Sequence, residues 1–114
     1  MEFDEKFRSC PYNGRLDVSQ YGRVRLTGTN IILRQIEINN HYFVENPEKP
    51  EDEGALESVH RLVALTWLDD VYDRSKEVHH KNFNGYDNRV DNLEWLDKIK
   101  HKELHEERRK EQKG

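Results

Sequence analysis

The chain contains one cysteine, three prolines and no apolar run near the roughly 20 residues that a membrane span requires. Cys10 alone cannot close an intramolecular disulfide or build a cysteine-based zinc site. Hydrophobic residues make up only 33% of the 114 positions, charged residues 37%, and the mean hydropathy is -1.13. An ordinary domain carries about 25% charged residues, so the core here is small. That excludes a large α/β enzyme, a Rossmann or barrel fold, and a deep buried pocket. The length fits one domain, 1–114. The opening MEFDEKFRSC is charged and has no apolar segment of the signal-peptide kind. The expectation is a cytoplasmic protein with no membrane partner. A small core without a disulfide calls for another staple, either a metal ion or oligomerisation.

Net charge is -4 and the pI is about 5.9, which taken alone argues against a nucleic-acid binder. The distribution says more than the sum. Residues 15–36 hold four Arg and one Asp, a local +3. Residues 98–114 hold seven Lys or Arg and four Glu, again +3. Between them, residues 45–57 hold six acids and one Lys, a local -5. Two basic stretches thus flank an acidic insertion.

Residues 1–14 read as irregular, with turn signals at Cys10-Pro11 and Asn13-Gly14. Gly22 stands where a tight turn feeds a strand, and Arg23 to Leu26 alternates polar and apolar. Thr27 to Asn30 is a hairpin turn, Ile31 to Ile38 its β-branched return strand, Asn39-Asn40 a turn and His41 to Val44 a strand. The stretch 15–44 is therefore expected to form a small antiparallel sheet, with 45–57 as an exposed acidic loop. Ser58 is a helix N-cap, and Val59, Leu62, Val63, Thr66 and Trp67 follow at helical spacing. Asp69 to Arg74 is a polar turn, Glu77 to His80 a short strand, and Lys81 to Asp91 a loop. Leu93 to Leu96 has strand character, and Asp97 caps a last helix from Lys98 to about Gln112. The fold class expected is α+β.

Four of the six histidines lie in the last third: His79, His80, His101 and His105. On a strand, His79 and His80 point to opposite faces. On a helix, His101 and His105 are i and i+4 and share a face. A strand and the first turns of a helix can therefore bring His79, His101 and His105 around one ion. His80 is then left beside it, with an ordinary pKa near 6.5 suited to general-base work. The same spacing suits a solvent-exposed His-His dipeptide and a solvated Lys/Glu-rich helix, so spacing alone leaves both readings open.

The run Val78-His79-His80-Lys81-Asn82-Phe83-Asn84-Gly85-Tyr86-Asp87-Asn88-Arg89-Val90-Asp91-Asn92-Leu93-Glu94-Trp95 resembles the HNH endonuclease signature of phage and intron-encoded nucleases. The three letters correspond to His80, Asn92 and His101. Upstream, Val59-His60-Arg61-Leu62-Val63-Ala64 resembles the helix preceding that motif, and Val18 to Arg25 the small β module often found before it. The resemblance implies a ββα-metal (His-Me finger) core, here 58–112, gripping one divalent cation. It implies His79 and His101 as metal ligands, and His80 as general base. Asn92 becomes the residue that pins the loop and holds His80 in orientation. His105 matches a third ligand of the bacteriocin branch. Many phage members carry an acid or Asn at the positions of His79 and His101. The all-imidazole set suits Mn, Ni, Co or Zn better than Mg.

Function follows as an expectation: metal-dependent hydrolysis of DNA phosphodiesters, one strand nicked per site, with a homodimer or two visits needed for double-strand cleavage. The catalytic candidates are His80, Asn92 and Arg89. Arg89 either offers a guanidinium fork to phosphate or pairs with Asp87, Asp91 or Glu94. Asn88 braces the loop, Trp67 and Trp95 anchor the core, His60 packs near the motif, and His41 has no assignment. Arg23, Arg25, Arg34, Lys100, Lys102, Arg108 and Arg109 are candidate phosphate contacts on double-stranded DNA. The alternative is a non-catalytic nucleic-acid-binding module with a structural zinc in the histidine site.

Overall fold

The computed structural model describes residues 4–45, 56–68 and 76–113. Strands β1 (Phe7–Cys10), β2 (Asn13–Ser19) and β3 (Val24–Leu26) form one antiparallel sheet in that order. Strands β4 (Ile36–Ile38), β5 (His41–Glu45) and β6 (Leu56–Ser58) form a second. Helix α1 (Val59–Trp67) follows, then strand β7 (Lys76–His80), a 3₁₀ turn (Val90–Asn92), strand β8 (Leu93–Asp97) and helix α2 (Lys98–Lys113). β7 and β8 pair as a two-stranded antiparallel ribbon. The architecture is the α+β arrangement expected.

The core explains most of these elements. Leu16, Val18, Val24, Val44, Val59 and Val63 are fully buried, joined by Leu62, Ala64, Val78, Leu93 and Trp95. α1 supplies Val59, Leu62 and Val63 from one face, and this face packs on β1, β2, β5 and β8. Ser58 caps it by accepting the Arg61 N–H. Trp67 donates its indole N–H to the Val18 carbonyl at 2.8 Å, tying the end of α1 to β2, and Arg8 stacks over the Trp67 ring. The buried Asp17 faces Arg25 across β2–β3, bonds it at 3.0 Å and accepts from the Thr27 hydroxyl at 2.8 Å. Trp67 and Trp95 are core anchors, as read from the sequence.

Three local expectations differ. Residues 7–10, irregular by their turn signals, pair with β2, because Cys10 is buried and the turn falls at Pro11-Tyr12, one step before Asn13-Gly14. Ile31 to Ile38 does not return along β3 as one strand. A single bridge joins Ile32 to Arg25, and β4 then pairs with β5. Ile31 and Ile32 are exposed, so their β-branching is not matched by burial that would hold a full strand. The stretch read as an acidic loop begins and ends in strand: Glu45 belongs to β5, and Leu56 and Glu57 to β6. Positions 46–55 of that loop, and the polar turn at 69–74, lie outside the described residues. No helix among the described residues is long and apolar enough to cross a membrane.

Replacing the fully buried Leu16 by Ala should cost about 2–5 kcal/mol of stability in urea unfolding. Ile99→Ala, at a side chain 74% exposed, should stay within about 0.5 kcal/mol.

Candidate active site

β7 pairs with β8 from Lys76↔Asp97 to His80↔Leu93, so the ribbon's open end carries the loop 81–92. Pleating separates the two neighbouring histidines. His79 turns toward α2, its ring centroid 5.1 Å from that of His101 and 5.8 Å from that of His105. His80 turns the other way, 5.1 Å from His60 and 5.6 Å from His41. The six histidines thus form two groups of three. Both line one cleft of about 340 Å³, together with Arg61, Glu77, Phe83 and Gly85.

The first group has the chemistry of a metal centre. One ring nitrogen from each of His79, His101 and His105 lies within 4.8 Å of the others. His101 bonds Glu77 through Nδ1 at 2.8 Å. A carboxylate can only accept, so Nδ1 carries a proton and Nε2 is the nitrogen that would ligate. That Nε2 faces His105 Nε2 at 3.1 Å. A tetrahedral zinc with bonds of about 2.0–2.1 Å spaces its ligand nitrogens by roughly 3.3 Å, so the pair is already near ligand spacing. His79 Nδ1 is buried and has no hydrogen-bond partner among the described residues, so nothing there competes for this nitrogen. Burial, and next the proximity of His101, push the His79 pKa below its ordinary value, keeping the neutral form that ligation needs. The residues present fit a divalent ion.

Phe83 closes this side. Its backbone lies in the left-handed region at φ 60°, which is strained for a bulky side chain. Its ring meets the edges of His79 and His105, and Arg108 stacks over it at 4.4 Å.

His80 is held differently. Its Nε2 bonds Asn88 Oδ1 at 2.8 Å, which places the proton on Nε2 and the lone pair on Nδ1. Burial lowers its pKa, and the Asn88 bond works against that shift. This corrects the role given to Asn92, because the side chain that orients His80 is Asn88. Asn92 bonds within the loop. It accepts the Asn82 N–H at 3.1 Å and donates to Asn82 Oδ1 at 2.8 Å and to the Asp87 carbonyl at 2.9 Å. Behind Asn88 stands Gly22, at φ +90°, where an added Cβ would lie 3.0 Å from Asn88 Cβ. The N-terminal sheet therefore backs the loop, and Val90 N–H bonds the Gln20 carbonyl beside it.

Arg89 is not among the residues lining the cleft. Its guanidinium forks onto both carboxylate oxygens of Asp87 at 2.8 and 2.9 Å, so the ion-pair role is the one seen. This pairing holds the Asp87 pKa down at about 2. Arg25 is committed to Asp17, and Arg23 to Glu5 at 3.3 Å. Arg34, Lys100 and Lys102 are exposed. His60 lies against Ser58 Oγ at 2.9 Å, and burial, then His80 and His41, lower its pKa to about 3.

Sequence reasoning set His60 near the motif, but did not single out Glu77 or bring His41 to the cleft. The period of β7 carries the signal for Glu77, two residues before His79 on the same strand face. His41 comes from a different sheet and has no local signal. Because Glu77 fixes the His101 ring, Glu77→Ala should weaken binding of titrated Zn or Mn by about 10–100-fold in calorimetry.

No family model matches the chain. It is 35% identical over 96 residues to an uncharacterized HNH endonuclease, L247, of Acanthamoeba polyphaga mimivirus, covering 81% of this chain. The chain spans only 24% of that relative's length. Among solved structures it is similar to the HNH homing endonuclease I-HmuI, with a TM-score of 0.75 and 23% identity, over 90% of this chain and 59% of that one. The sequence relative and the fold likeness point to one family, and the chain belongs to the HNH endonuclease family.

Proposed function

We propose that this chain is a metal-dependent endonuclease unit that hydrolyses DNA phosphodiester bonds and nicks one strand per visit. The observation that carries the reading is one cleft holding a three-imidazole cluster on one wall and a separate, hydrogen-bonded His80 on the other. His79, His101 and His105 would hold one divalent ion, which when bound supplies Lewis-acid stabilisation of charge on phosphate and leaving oxygens. His80 does the proton work: with Nε2–H fixed on Asn88, its Nδ1 lone pair takes the proton of the attacking water. Asn88 keeps the ring from turning over, and Asn92 keeps Asn88 in place through the loop. All-nitrogen ligation favours Mn, Ni, Co or Zn over Mg. One such site addresses one strand, so cutting both needs a homodimer or a second visit.

Supercoiled plasmid incubated with a panel of Mg, Mn, Ni and Zn should relax to open circles, and chelator should stop it. His80→Ala should lower the nicking rate by about 10²–10⁴-fold while leaving ion affinity unchanged. His79→Ala and His101→Ala should each weaken ion binding. A wild-type chain that binds duplex DNA and never nicks it under any metal overturns the reading in favour of a non-catalytic module.

A further inference from the structure

The second histidine group contains a residue without a role in that mechanism. His41 is the first residue of β5, delivered from a sheet other than the β7–β8 ribbon. Three features fix it there. Asn39 and Asn40, at φ 51° and 66°, form the tight turn that ends β4, a conformation Asn tolerates better than most residues. Tyr86, at the tip of the 81–92 loop, sets its hydroxyl 3.0 Å from Glu37 Oε1 and 2.9 Å from Asn40 Oδ1, clamping this hairpin to the loop. Gly85 lies so close that a Cβ there would collide with the Asn40 carbonyl oxygen and with His41 Nδ1.

The consequence for the ring is specific. His41 lies nearly parallel to His80, at 12° and 5.6 Å between centroids, and lines the same cleft. Its Nδ1 is buried, with no hydrogen-bond partner among the described residues. A buried ring nitrogen without a partner is costly whether or not it carries the proton, so Nδ1 has nothing to offer a ligand. Nε2 is the ring's other polar atom and the one left to offer a ligand, as a donor when it carries the proton. The cleft wall on this side of His80 thus carries a second imidazole, in addition to the three-histidine cluster.

We propose that His41 is a substrate-contacting residue, whose Nε2–H donates to a non-bridging oxygen of the DNA backbone phosphate held beside His80. This rests on the endonuclease reading above. A phosphodiester anion is the ligand class that fits, since it is the group His80 must reach and it accepts hydrogen bonds strongly. Sequence-independent backbone contact is also what a one-residue donor can provide.

The test compares His41→Phe, which keeps a flat ring without the donor, with His41→Gln, which keeps a donor without the ring. Each is assayed for plasmid nicking and, with chelator present, for binding of a fluorescein-labelled DNA duplex by anisotropy. Manganese affinity and the thermal midpoint are measured alongside. His41→Phe should lose about 10-fold in nicking kcat/KM and several-fold in duplex affinity. His41→Gln should stay within about 3-fold on both, with manganese affinity unchanged in each variant. A Phe variant equal to wild type, or a folded Gln variant as impaired as Phe, overturns the proposal. If His41→Phe does not fold, His41→Gln decides alone. If the wild type binds duplex without nicking, the endonuclease reading fails while the anisotropy comparison still judges His41. A wild type that neither binds nor nicks overturns both.

Discussion

The alternation of side chains along β7 governs the site. Two adjacent histidines on a pleated strand cannot face the same way, and here one face looks to α2 and the other to the loop and β5. A ligand and a base can therefore sit side by side without competing for one ion. The demands on the two rings differ. His79 brings a ring nitrogen within 4.8 Å of those of His101 and His105, whereas His80 has one nitrogen tied to Asn88. Burial favours the neutral form of both, which suits ligation and proton acceptance alike.

Keeping that division requires an ordered loop between ribbon strands. The loop is polar and has a small share of the apolar core, so its order comes from hydrogen bonds and close approaches. Asn92 stitches its two limbs, Asp87 and Arg89 form a local fork, and Asn82 and Asn84 cap backbone N–H groups two residues on. The two N-terminal sheets complete the support. One leans Gly22 on Asn88, and the other accepts Tyr86 at Glu37 and Asn40. These sheets are structural neighbours of the chemistry rather than a detached module.

The sequence made the local parts legible. Helical spacing located α1 and its Ser58 cap, and the i, i+4 pair on α2 put His101 and His105 together. The family resemblance supplied the order of the loop residues and their expected roles. What could not be read was nonlocal. Asn88 and Asn92 are both plausible partners for His80, and only the loop's path decides between them. Ile31 to Ile38 has strand composition, yet its exposed side chains and the crossing to β5 break it in two. His41 reaches the cleft through a sheet pairing and a glycine contact whose two members are 44 positions apart in sequence.

The most direct measurement is anomalous diffraction from crystals of the chain grown with zinc. The expected result is one ion with nitrogen bonds of about 2.0–2.1 Å to His79, His101 and His105, and His80 still bonded to Asn88. An ion bound by His80, or the three imidazoles apart with no ion between them, would contradict the division of labour on β7.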